Sequence, residues 1–100
     1  MQVSVRQTRR LARWLAGLRD SHARARILVR IRRLSLVYAG DAKSVGGGVL
    51  ELRIDSGPGY RVYFTERSGD AVVLLAGGDK GTQEQDIAIA RRLARDIRED

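Results

Sequence analysis

The sequence predicts an α+β fold: a single domain over residues 1–100, running βααβββα, with an N-terminal helical hairpin and a C-terminal helix around a mainly antiparallel sheet. Three observations predict it. Apolar residues recur at helical spacing twice before Gly40 and once after Thr82, and the chain between them holds three segments with strand character, two of which alternate with period two. The turns joining those segments are short and rich in Gly, Pro, Asp and Ser, as consecutive antiparallel strands require. One hundred residues is one domain's worth of chain, and no linker, repeat or low-complexity tract divides it.

The elements follow in order. Val3 and Val5 alternate with Gln2, Ser4 and Arg6, the pattern of a short half-buried strand. Thr8 is a candidate N-cap for a helix in which Leu11, Trp14, Leu15 and Leu18 share one side and Arg9, Arg10 and Arg13 the other. A break at 19–21 offers Asp20 or Ser21 as the next cap. Ala23, Ile27, Ile31, Leu34 and Tyr38 then form a second stripe, surrounded by Arg24, Arg26, Arg30, Arg32 and Arg33. So short a connection makes the two helices antiparallel neighbours. Residues 40–48, with Asp41, Lys43 and three consecutive glycines, read as a loop.

From Val49 to Ile54 the alternation is strict, with Leu50, Leu52 and Ile54 on one face and Val49, Glu51 and Arg53 on the other. The turn at 55–59 (Asp-Ser-Gly-Pro-Gly) leads to a strand over 60–66 that groups Tyr60, Val62 and Phe64 against Arg61, Tyr63 and Thr65. A second turn at 68–70 precedes a more apolar strand, Ala71 to Ala76, which Gly77 and Gly78 end. Thr82 and Gln85 have capping-box spacing for a last helix, with Thr82 at its N-cap and the stripe Ile87, Ala90, Leu93, Ala94 and Ile97.

Charge carries the functional signal. Nineteen Lys and Arg against twelve Asp and Glu give +7, and the excess lies wholly in residues 1–40, which hold ten arginines and one acid. Such a surface, carried by Arg9, Arg10, Arg13, Arg24, Arg26 and Arg30, grips a polyanion or an acidic protein, or is simply a solvated helical face. With no cysteine there is no disulfide, thiolate nucleophile or cysteine zinc site, and the chain suits a reducing cytoplasm. The apolar run 71–76 is far too short to span a membrane, and no secretory signal pattern opens the sequence, so a cytoplasmic location without membrane contact is expected.

If the Leu52 face of the central hairpin meets the helices, Glu51, Arg53, Arg61 and Tyr63 occupy an open polar face. Lys43 and Lys80, the only lysines, flank that sheet, so both are expected around one basic concavity. Arginines bind phosphate bidentately and stabilise a pentavalent intermediate, and a lysine or tyrosine among cations can move protons. His22 stands alone and the acids are scattered, so no metal or other cofactor is expected. RNA supplies its own nucleophile in the 2′-hydroxyl. The bland alternative is that Glu51, Arg53 and Arg61 are cross-strand ion pairs on a wet face.

The motifs at 52–55 (Leu-Arg-Ile-Asp), 57–64 (Gly-Pro-Gly-Tyr-Arg-Val-Tyr-Phe), 74–80 (Leu-Leu-Ala-Gly-Gly-Asp-Lys) and Thr82-Gln83 with Asp86-Ile87 resemble the addiction-module killer proteins of the RelE/ParE superfamily, near its HigB branch. Residues 14–20 and 23–27 resemble the same family's helical hairpin. The resemblance implies a RelE-like fold and the toxin of a type II toxin–antitoxin pair. That toxin would be a ribosome-dependent, metal-free mRNA endonuclease that stops translation and growth, with mRNA and the ribosome as partners and silenced by a cognate antitoxin, HigA-like with a helix-turn-helix. It makes Arg61 the arginine on the scissile phosphate and Lys80 a catalytic cation. The chain departs from RelE in carrying Val49 and Glu51 where RelE has a lysine pair, and Asp86 where a C-terminal tyrosine or histidine is expected. Either Glu51, Lys43 and Tyr63 do that work in another arrangement, with Arg53 binding RNA, or nuclease activity is weak. A ParE-like gyrase poison and a plain RNA-binding protein are the other function classes.

Overall fold

The computed structural model describes residues 4–35, 42–67 and 71–99. Strand β1 (Ser4–Gln7) leads into helices α1 (Arg9–Gly17) and α2 (Ser21–Ser35). Strands β2 (Lys43–Ser44), β3 (Val49–Ile54), β4 (Tyr60–Arg67) and β5 (Ala71–Gly78) follow, and a 3-10 turn (Lys80–Thr82) runs into α3 (Gln83–Glu99). The strands form one sheet in the order β1-β5-β4-β3-β2. β1 lies parallel to β5, and the remaining neighbours are antiparallel. The α+β class and the βααβββα order are therefore as expected, with β2 added.

Single polar residues set the junctions. Thr8 donates from its backbone to Leu74 O at 3.0 Å and from its hydroxyl to Leu75 O at 2.6 Å, while the same hydroxyl accepts Leu11 N–H at 3.1 Å. One side chain thus pins the end of β1 to β5 and caps α1. Asp20, rather than Ser21, caps α2: its carboxylate accepts from His22 and Ala23 at 3.0 and 3.1 Å.

Two apolar layers sandwich the sheet. Leu11, Ile27 and Leu34 pack on Leu52, Ile54, Val62, Phe64, Val72 and Leu74 on the α1/α2 face. On the opposite face Ala90 and Ala94 of α3 pack on Val49, Tyr63, Val73, Leu75 and Ala76. A bulge makes this possible: Tyr63 pairs with Ala76 but Phe64 with Leu74, so Leu75 is an extra residue and joins Ala76 beneath α3.

Three expectations are corrected. The loop at 40–48 contains β2, because Gly46, Gly47 and Gly48, all at positive φ (88°, 64° and 77°), reverse the chain tightly enough to lay Lys43 and Ser44 against Glu51 and Leu50. Gly77 and Gly78 do not end the last strand but pair with Val62 and Arg61 inside it. A Cβ on Gly77 would enter the Trp14 ring and one on Gly78 the Asp86 carboxylate, so close packing rather than a turn requires glycine. The cap before α3 sits three residues earlier than the Thr82 pattern implied. Asp79 accepts from Gly81 N at 2.7 Å and Thr82 Oγ1 accepts from Asp79 N at 3.4 Å, closing the box around the 3-10 turn. Val3, Tyr38, Asp41 and the 68–70 turn lie outside the described residues. Among the described residues no helix is long and apolar enough to cross a membrane.

Candidate active site

Register alone gathers the candidate residues. Lys43, Glu51, Tyr63 and Ala76 are successive cross-strand partners, and two residues along run Arg53, Arg61 and Gly78. Cross-strand partners share a face. All five side-chain candidates on β2, β3 and β4 therefore belong to the α3 side of the sheet. That face is not the open polar surface expected: α3 covers much of it, leaving Tyr63 fully buried and Glu51 only 1% exposed.

Glu51 is the hub. Its Oε2 accepts from Gln83 Nε2 at 2.8 Å and Tyr63 Oη at 3.1 Å, and its Oε1 from Arg53 Nε at 3.2 Å; Arg61 Nε stands 3.6 Å from Oε2. Burial pushes the carboxyl up, but the donors Gln83, Arg53 and Tyr63 and the Arg61 charge outweigh it, and Glu51 lies below the usual carboxylate range. Burial, followed by the Glu51 charge and hydrogen bond, drives the Tyr63 phenol the other way, well above its ordinary value. Tyr63 is thus held as a neutral donor to an ionised Glu51.

Arg61 is 8% exposed, and its Nη1 donates to Gly59 O at 2.6 Å. Gly59 has φ of 80°, and a Cβ there would lie 3.1 Å from Arg61 Nη1 and 3.6 Å from the Cβ of Lys80. The backbone of Lys80 donates to Pro58 O at 3.4 Å, so the turn before β4 and the turn after β5 meet beside Arg61. A cleft of about 310 Å³ opens there between the ends of β3 and β4, lined by Arg53, Ile54, Asp55, Gly59, Tyr60 and Arg61. Lys80 borders a second hollow running along the start of α3 to Gln85. Lys43 lines neither; it stands on the exposed edge strand at the far end of the Glu51 row. One basic concavity around both lysines is therefore not what the fold builds.

The hairpin arginines lie on the other side of the sheet. Arg9, Arg10 and Arg13 are exposed on α1. Arg24 donates to Leu18 O, Arg26 to Asp55 O at 2.9 Å and Arg30 to Arg53 O at 2.9 Å. β2 pairs with β3 only at Leu50 and Glu51, and Arg26 and Arg30 cover carbonyls beyond that pairing. Their positive charge thus also serves the fold, which the composition did not reveal.

Two residues escaped the sequence reading. Gln83, named only within a family motif and given no role, ties α3 to Glu51. Asp86, noted as a departure from RelE, is 8% exposed and accepts from Thr82 Oγ1 at 2.5 Å; the i, i+4 spacing of Thr82 and Asp86 was the available signal. Among the described residues no three His, Asp or Glu side chains converge as a metal-ligand set.

A family profile described as Phage derived protein Gp49-like (DUF891) matches residues 13–95. An uncharacterized protein of Haemophilus influenzae Rd is 45% identical over 97 residues, covering 97% of this chain and 98% of the relative. Among solved structures, an arginine-to-alanine mutant of the E. coli toxin RelE in the free state aligns with a TM-score of 0.76 at 15% identity, over 92% of this chain and 97% of that one. At that identity the likeness is one of fold.

Proposed function

The chain belongs to the Gp49-like family of phage-derived proteins and has the RelE fold, and from that premise we propose that it is the toxin of a type II toxin–antitoxin pair, of HigB type: a ribosome-dependent mRNA endonuclease neutralised by a cognate antitoxin. The observation that carries this reading is the cleft at Arg53 and Arg61, with Lys80 alongside. In this scheme the RNA 2′-hydroxyl attacks the adjacent phosphorus and releases its proton to solvent. The bond to the next nucleotide's 5′-oxygen breaks, leaving a 2′,3′-cyclic phosphate and a 5′-hydroxyl. Arg61 and Arg53 stabilise the extra charge on the pentavalent phosphorus, and the Lys80 ammonium protonates the departing oxygen. Glu51 is engaged by Gln83, Tyr63 and Arg53, so its part is to hold Arg61 and Arg53 rather than to take a proton. The exposed arginines of α1 supply salt-sensitive attraction to ribosomal RNA.

Expression in growing cells with mapping of mRNA ends tests the reading. Growth arrest with cleavage inside translated codons is expected, and both should vanish in Arg61→Ala. Arrest with intact mRNA overturns the nuclease. The engagement of both arginines by Glu51, with no lysine at 49 or 51, favours one second reading, a non-enzymatic poison of the ParE kind. Its signature is DNA damage with intact mRNA.

A further inference from the structure

The outer crest of α2 is unlike any other part of the described surface. Among the described residues Leu28 and Val29 are the large hydrophobic side chains left exposed, at 48% and 52%. Scattered exposed leucines need no explanation, but these two are adjacent and sit between two hollows with mainly apolar linings. One, about 330 Å³, runs from Val29 past Arg26 and Arg33 to Ile54. The other, about 430 Å³, runs from Leu28 past Ile31 to Val5 on the edge strand β1. Helical spacing puts Ala25, Leu28, Val29 and Arg32 on one outward stripe, opposite the buried Ala23, Ile27 and Leu34.

The charge around the crest selects its occupant. α2 carries Arg24, Arg26, Arg30, Arg32 and Arg33 and no Asp or Glu. A second copy of this chain would set arginine against arginine. An RNA backbone complements the arginines but leaves Leu28 and Val29 facing phosphate and ribose, with no aromatic ring in either hollow's lining for a base to stack on. Two apolar side chains are too little for a helix to anchor in a bilayer. We propose that the α2 crest docks an acidic, amphipathic segment of a partner protein, its apolar side chains on Leu28 and Val29 and its carboxylates on Arg26, Arg32 and Arg33. This deepens the neutralised-toxin reading, and rests on it only for the partner's role in the cell. The crest lies on the opposite side of the sheet from the Glu51 network, and only the Val29 hollow approaches the cleft, at Ile54 and Asp55, so Leu28 and Val29 themselves are clear of Arg61.

The test uses the full chain as Arg61→Ala, isotope-labelled for NMR, and a synthetic helical peptide of about 18 residues made of Glu and Leu, with leucines at i, i+3, i+4 and i+7. The expected result is resonance shifts centred on Val5, Leu28, Val29 and Ile31, with binding weakened about tenfold by Leu28→Asp or Val29→Asp and by Arg33→Glu. Both apolar positions are exposed, so the Asp variants keep the fold. Equal binding of a peptide with the same composition and scrambled spacing, or indifference to the Asp variants, overturns the proposal. So does stronger occupation of the same resonances by a single-stranded RNA oligonucleotide, or self-association that covers the crest. In the otherwise wild-type chain, Leu28→Asp and Val29→Asp should still arrest growth, so a failed docking site and a failed toxin reading give different results.

Discussion

Glu51 Oε2 lies 3.6 Å from Arg61 Nε across the β3–β4 pair, with the carboxylate 1% exposed and the arginine side chain 10%. The two partners are not equivalent. Without Arg61, Glu51 keeps Arg53, Gln83 and Tyr63; without Glu51, the buried Arg61 Nε, which makes no hydrogen bond, loses its carboxylate partner among the described residues. Breaking a buried pair so as to leave one charge uncompensated costs roughly 3 kcal/mol. Glu51→Ala should therefore lose about that much in urea unfolding, and Arg61→Ala clearly less. Equal losses would show that Glu51 is not the hub.

The acid and alkaline limbs of stability separate Glu51 from Tyr63. Glu51 titrates below its unfolded value of 4.5, so its contribution is complete above that pH and disappears as pH falls through the folded value. Glu51→Gln should flatten the acid limb of the unfolding profile. Tyr63 titrates above its unfolded value of 10.0, so its contribution is complete below pH 10 and is lost as pH rises through the folded value. Tyr63→Phe should flatten the alkaline limb and remove one late-ionising phenol from the ultraviolet titration. A late phenol that survives in Tyr63→Phe would contradict the assignment.

The hub also marks how far the sequence reached. Alternation put Glu51, Arg53, Arg61 and Tyr63 on one face because period two is a local property of β3 and β4. What lies over that face depends on where α3 docks, with Gln83 reaching Glu51 from 32 residues later in the chain, and no local pattern encodes it; hence an expected wet surface became a buried carboxylate. Strand β2 was illegible for a similar reason, since two residues pair only because three glycines return the chain. The α3 cap is ambiguous in sequence because Asp79–Thr82 and Thr82–Gln85 both have box spacing, and the Thr82 hydroxyl serves Asp79 and Asp86. Alternation placed Arg61 and the rarity of lysine marked Lys80, but their roles at a phosphate come only from resemblance to a family, and Gln83 carried no signal beyond its place in that family's motif.

Gly77 and Trp14 are a matched pair. The ring of Trp14, set edge-on to Tyr60 with centroids 6.2 Å apart, occupies the space a Gly77 side chain would need. Overpacking of this kind costs about 1–3 kcal/mol. Gly77→Ala should destabilise by that amount, and much less on a Trp14→Leu background, giving a large coupling energy in a double-mutant cycle. Additive losses would mean that the ring moves aside freely.

Lys80 should separate activity from stability. It is exposed at the first position of the 3-10 turn, and the bonds that form the turn belong to Asp79 and Thr82, so Lys80→Ala should change the unfolding free energy by no more than about 0.5 kcal/mol. As the proton donor to the leaving 5′-oxygen it should nonetheless cost about 10²-fold or more in mRNA cleavage. Arg61→Lys should also be impaired, because an ammonium cannot bridge Gly59 O and the Glu51 carboxylate while facing the cleft as the planar guanidinium does. Cleavage with purified ribosomes, measured beside urea unfolding for each variant, distinguishes the two roles. A Lys80→Ala protein that cuts at the wild-type rate would remove Lys80 from the chemistry and leave Arg61 and Arg53 to account for the cleft.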